Sequence, residues 1–125
     1  MADAQRRILI VDDEQDICEC LRQFFTSRGF SVVSAFSGEE ALERLAQESP
    51  DVILLDIKLP GLSGIEVLRR LRDTHPHVRV IMVSALDEHE LREQAKQYGA
   101  TAYITKPFDL SDLTWSAAFS ARSSP

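Results

Sequence analysis

No apolar stretch in this 125-residue chain approaches the ~20 positions that a membrane-crossing helix needs. Near the amino end, Arg6-Arg7 precedes Ile8-Leu9-Ile10-Val11, but that run stops after four residues at Asp12-Asp13, too soon for a signal peptide. Cysteine is scarce. Cys18 and Cys20 are the two present, and in a helical pattern they point to different sides, which gives neither a disulfide nor a zinc site. A reducing cytosol suits them. Glycine and proline number five each, too few for a disordered or collagenous chain. Positive charge is in deficit. The 14 Lys+Arg against 20 Asp+Glu leave −6, which argues against direct binding to nucleic acid or anionic lipid and makes a bound cation the better fit. The length holds one hydrophobic core and excludes a two-domain cleft enzyme. A soluble, cytoplasmic single domain is expected.

What is there is an alternation of two periodicities. Ile8 to Val11, Val52 to Leu55, Val80 to Val83 and Tyr103-Ile104 are continuously apolar, the pattern of inner parallel strands covered on both faces. Ser31 to Ala35, weaker and placed after Gly29-Phe30, reads as an edge strand. Between these runs, Ile17, Leu21, Phe24 and Phe25 recur at helical spacing, with Gly29 beyond them as a C-terminal cap. Ser37 with Glu40 forms a capping box ahead of Ala41, Leu42, Leu45 and Ala46. Ile65, Leu68 and Leu71 mark a third helix before Pro76, and Leu91, Ala95 and Tyr98 a fourth before Gly99. Asp109 and Asp112 open a fifth. Five such alternations predict an α/β fold, a doubly wound parallel sheet with right-handed crossovers.

In such a sheet, ligands bind beyond the carboxyl ends of the strands. The polar residues that end the apolar runs are therefore the ones to inspect: Asp12-Asp13, Asp56, Ser84 and Lys106-Pro107. Three carboxylates gathered at one edge require compensating charge, and a divalent cation with Lys106 brings −3 + 2 + 1 to zero. Oxygen-only ligands suit Mg²⁺ or Mn²⁺. A metal, a lysine and the Ser84 hydroxyl are the parts that hold the equatorial oxygens of a phosphoryl group in transfer. One carboxylate must then be the nucleophile. Asp56, which enters the loop Ile57 to Gly64, is best placed, and aspartyl phosphate is a known type of covalent intermediate.

Together, the acidic pair Asp12-Asp13, the D-x-x-L-P-G-x-S-G run from Asp56 to Gly64, Ser84-Ala85 and Lys106-Pro107-Phe108 resemble the receiver domain of two-component response regulators, from about Arg7 to Leu113. The resemblance implies a flavodoxin-like five-stranded sheet of order 2-1-3-4-5 with five helices. It implies a receiver domain over residues 1–119 and a Ser-rich tail or linker over 120–125. It makes Asp56 the phosphoacceptor, with Asp13, Asp56 and the Lys58 backbone carbonyl as Mg²⁺ ligands and Asp12 acting through water. Lys106 and Ser84 would hold the phosphoryl oxygens, Ser84 and Tyr103 would form the switch, and the peptide before Pro107 would be cis.

The implied partner is a sensor histidine kinase or a histidine phosphotransfer protein. An output domain or effector would contact the face of the fourth helix, last strand and fifth helix, and a homodimer is compatible with the pattern. Slow self-catalysed dephosphorylation would accompany the switch, bordered by Lys58 and Leu86. The competing reading is a small aspartyl-nucleophile phosphohydrolase, but those tend to carry D-x-D where this chain has an adjacent pair. Flavin or nucleotide binding lacks a glycine-rich phosphate loop. His75, His77 and His89 read as solvated surface, as do Arg69, Arg70 and Arg72. Trp115 and Phe119 fall on the outer face of the fifth helix, where a contact surface competes with an irregular end.

Overall fold

The computed structural model of the chain describes residues 6–110. Five strands, β1 (Arg7–Val11), β2 (Ser31–Ala35), β3 (Val52–Leu55), β4 (Arg79–Ser84) and β5 (Ala102–Thr105), form one parallel sheet. Their order is β2-β1-β3-β4-β5. Four helices lie among the described residues: α1 (Gln15–Thr26), α2 (Gly38–Glu48), α3 (Gly64–Thr74) and α4 (His89–Gln97). The body of the expected fifth helix, with Leu113, Trp115, Ala117 and Phe119, lies outside them.

The continuous apolar runs are explained by burial on both faces, because alternate side chains of a strand point to opposite sides. Ile8, Ile10, Val52, Leu54, Ile81 and Val83 join Leu21 and Phe25 of α1 in one core. Leu9, Val11, Ile53, Leu55, Val80 and Met82 join Leu45 of α2 and Leu68 and Leu71 of α3 in the other. Each fully buried side chain of this size contributes about 1.5–3 kcal/mol, so strands buried twice carry most of the stability.

The chain leaves β1 for β2 on one side, then crosses back to β3 on the other side of β1. Strand order therefore reverses between β1 and β3, and a crevice opens at their carboxyl ends. Asp12 and Asp13 follow β1, and Asp56 follows β3.

Three local details differ from the sequence expectation. The Tyr103-Ile104 run belongs to an edge strand: β5 pairs with β4 alone among the described residues, and of its four residues only Ile104 is buried. The capping box at α2 is half as expected. The Ser37 hydroxyl accepts from the Glu40 amide at 3.1 Å, but the Glu40 carboxylate reaches past Ser37 to the Phe36 amide at 2.8 Å. Arg72 is no solvated surface residue. Its guanidinium donates to the carbonyls of Tyr98 (2.9 Å), Gly99 (2.9 Å), Val78 (2.8 Å) and Pro76 (3.1 Å), tying α3 to the end of α4 and the entry of β4. Burial lowers its pKa. Arg69 and Arg70 do lie on the exposed face, paired with Glu66.

Candidate phosphoryl and metal site

Asp12, Asp13 and Asp56 each bring a carboxylate oxygen into a group whose members lie within 4.8 Å of one another. Two of the three are buried, Asp12 to 2% exposure and Asp56 to 5%, and Asp13 opens to solvent. The backbone explains the convergence. The Asp56 amide donates to the Val11 carbonyl (3.0 Å) and the Asp12 amide to that of Ala35 (3.1 Å), so parallel pairing continues past the strand ends and sets both aspartates on one rim. The Asp12 carboxylate accepts from the Glu14 amide at 2.9 Å, and Asp56 Oδ1 from the Lys58 amide at 3.3 Å. An oxygen-only donor set with one solvent-facing member fits a hard divalent cation that keeps several waters.

Lys106 reaches this rim from beyond β5. Its Nζ lies 2.7 Å from Asp12 Oδ2, 3.0 Å from Asp56 Oδ2 and 2.9 Å from Glu14 Oε1. The Lys106–Pro107 peptide is cis, as expected, and the Lys106 amide donates to the Ser84 carbonyl at 2.9 Å. Burial pulls the Lys106 pKa down, yet hydrogen bonds to Asp12, Glu14 and Asp56 outweigh it and hold the ammonium above its ordinary 10.5. Burial raises the pKa of Asp12, opposed by its bond to Lys106.

Beneath the site, the Cys18 thiol donates to the Asp12 carbonyl at 3.3 Å. Burial first, then the nearby Asp12 charge, push this thiol from 9.0 up to about 12. Between pH 9 and 12 the unfolded chain therefore releases a proton that the folded chain keeps, and stability falls as pH rises. Lys106, also raised, adds to the same fall above 10.5. Unfolding in urea across this range should give a shallower decline for Cys18→Ala than for the wild type; equal slopes would remove Cys18 from the account.

Ser84 is buried at the end of β4, and its hydroxyl accepts from the Leu86 amide at 3.2 Å. The half-buried Tyr103 donates its hydroxyl to the Leu86 carbonyl, with Ser84 a further hydrogen-bond neighbour. Leu86 thus stands between the two residues expected to form a switch. Burial raises the Tyr103 pKa. Two functional neighbours escaped the sequence reading. Glu14 shares Lys106, although it directly follows the acidic pair. Arg92 of α4 lies over the Tyr103 ring at 4.5 Å while bonding Asp87 (2.5 Å) and Thr105 (3.1 Å). Two of the histidines stand away from this rim, His75 capping the far end of α3 and His77 preceding β4, while His89 opens the exposed start of α4.

Residues 8–118 match the response regulator receiver domain. The chain is 37% identical over 107 residues to sporulation initiation phosphotransferase F of Bacillus subtilis, covering 86% of each protein. It is 39% identical over 107 residues to the response regulator MprA of Mycobacterium avium, covering 86% of this chain and 47% of that protein. The chain thus spans about half the length of the MprA regulator. Among solved structures, CheY of Borrelia burgdorferi, in a complex with CheX, BeF3 and Mg²⁺, is similar with a TM-score of 0.86 at 33% identity, covering 94% of this chain and 90% of that one. The likeness covers the acidic crevice and the lysine that closes it, and the chain belongs to the response regulator receiver domains, the phosphoryl-accepting switches of two-component signalling.

Proposed function

We propose that Asp56 is the phosphoacceptor of this switch, and that a sensor histidine kinase or histidine phosphotransfer protein is the donor. The observation that supports this most is the shared ammonium: Lys106 Nζ within 3.0 Å of Asp56 and 2.7 Å of Asp12, beside the three-carboxylate group. Asp13, Asp56 and the Lys58 carbonyl would hold Mg²⁺ directly and Asp12 through water. The ion supplies charge neutralisation where phosphorus approaches a carboxylate, and the Mg²⁺ in the Borrelia CheY complex favours it over Mn²⁺.

An Asp56 oxygen attacks phosphorus, the P–N bond of phosphohistidine breaks, and the imidazole leaves. Lys106 and the Ser84 hydroxyl bind the transferred oxygens. The phosphoryl group carries about −1.5 to −2 where the carboxylate carried −1, its oxygens draw the Ser84 hydroxyl toward them, and Leu86 passes that shift to Tyr103. The responsive face comprises α4, β5 and the segment that follows, where an output domain, an effector or a second copy would be read. Water then hydrolyses the acyl phosphate slowly along a path past Lys58 and Leu86, releasing inorganic phosphate and restoring the Asp56 carboxylate. Turnover on outside substrates forms no part of this reading, and the domain, over residues 1–119, would work in the cytoplasm.

Acetyl phosphate with Mg²⁺ should add one phosphoryl group by intact mass, mapped to the peptide holding Asp56, and EDTA should prevent it. A modified peptide lacking Asp56, or uptake indifferent to EDTA, would overturn the assignment.

A further inference from the structure

The Lys106 ammonium has three N–H donors and no more. All three face carboxylates: Asp12 at 2.7 Å, Asp56 at 3.0 Å and Glu14 at 2.9 Å. A phosphoryl oxygen can be bound by Lys106 only if one of these lets go. The three are not equal. The Asp12 and Asp56 side chains are 3% and 6% exposed, so a donor withdrawn from Asp12, or from Asp56 while its carboxylate is still ionised and the phosphoryl group is approaching, leaves a buried charge short of a partner. The Glu14 side chain is 59% exposed, and water takes over its hydrogen bond at little cost.

Glu14 also has no other visible task. It occupies the N-cap position of α1, yet its side chain makes no capping bond, and its carboxylate turns toward Lys106 instead. The backbone around it is fixed independently, by its amide on Asp12 Oδ1 and by its carbonyl accepting from Cys18.

We infer that Glu14 is a positioning residue that fills the phosphoryl-oxygen place on Lys106 in the resting state and must be displaced when a phosphoryl group arrives. It is an internal competitor for the ligand. It keeps the ammonium aimed into the crevice and sets the threshold for occupation. The inference rests on Asp56 being the acceptor.

Beryllofluoride with Mg²⁺, titrated into the full chain and followed by ¹⁹F NMR, tests it. Glu14→Gln should bind beryllofluoride roughly two- to fivefold more tightly than wild type, the worth of one exposed charged hydrogen bond. Asp16→Asn removes the same charge two residues away, on the exposed start of α1 and without a contact to Lys106, and should change nothing. On a Lys106→Met background, Glu14→Gln should have no effect, because the donor it competes for is gone.

Unchanged or weaker binding by Glu14→Gln overturns the inference and leaves the acceptor reading standing. An equal gain from Asp16→Asn also overturns it, since diffuse charge would then suffice. Failure of the wild type to bind beryllofluoride at all would sink both the inference and the Asp56 assignment.

Discussion

Lys106→Met should slow phosphoryl uptake from acetyl phosphate by about a hundredfold or more, the usual cost of removing one preorganised donor from a developing oxyanion. The methionine fills the stem's place, so the change is chiefly one of charge. Removing the ammonium leaves Asp12 and Asp56, 2% and 5% exposed, without their common partner. Breaking a buried pair on one side costs 3–5 kcal/mol, and the solvent-facing opening at Asp13 puts this one at the lower end, about 3 kcal/mol in metal-free buffer near pH 8. Its pH dependence has a definite sign. Burial already raises the Asp12 pKa, and the variant loses the Lys106 bond that opposes the rise. A carboxyl whose folded pKa is raised favours folding when protonated and loses that contribution as pH climbs through its folded value. The deficit should therefore shrink as pH falls toward 5, and millimolar Mg²⁺ should recover part of it near neutrality. Urea unfolding at several pH values, with and without Mg²⁺, checks this. A pH-independent deficit that Mg²⁺ leaves untouched would mean that Lys106 stabilises by packing instead.

Gly64→Ala should cost about 3 kcal/mol despite alanine's advantage in a helix. A Cβ on Gly64 would sit 1.9 Å from the Asp56 carbonyl oxygen and 2.8 Å from Ile57 Cα, both main-chain atoms with no rotamer to relieve them. Helix propensity favours alanine by only about 0.5–1 kcal/mol, whereas overpacking of this kind costs about 1–3 kcal/mol or more. The close approach is made by the Gly64 amide, which donates to the Ile57 carbonyl at 2.8 Å and folds the loop after β3 back on itself. Relief must come by moving that loop, and with it Asp56. Beryllofluoride affinity should therefore fall together with stability. An alanine variant as stable as wild type, with unaltered affinity, would show that the loop has slack.

The fold was legible wherever local chemistry decides structure. Continuous apolar runs flanked by turn residues gave the strands, because burial on both faces leaves no polar position between Ile8 and Val11 or Val52 and Leu55. Whether a run is inner or edge depends on strand order, a long-range property, and Tyr103-Ile104 is too short to declare it. Asp12, Asp13, Asp56, Ser84 and Lys106 were legible for a related reason: each interrupts or ends an apolar run at a strand's carboxyl end. Glu14 and Arg92 were not. At a helix start or on its face, a charged residue that turns toward a buried ammonium or an aromatic ring has the same spacing as one that faces water. Arg72 was hidden more deeply, since its acceptors are backbone carbonyls up to 27 residues away, and main-chain atoms leave no signature in the choice of side chain.

The ammonium that closes the crevice comes 50 residues after Asp56 and 92 after Glu14. During synthesis from the amino end, β1 and β3 can pair and bring three acids together before Lys106 exists to offset them. A ribosome-bound fragment ending before residue 106 therefore carries an unbalanced negative notch that must borrow a cation or stay open. Completion of β5 is then an electrostatic latch as well as a packing event, and the crevice is balanced only once Lys106 has emerged and folded back onto it.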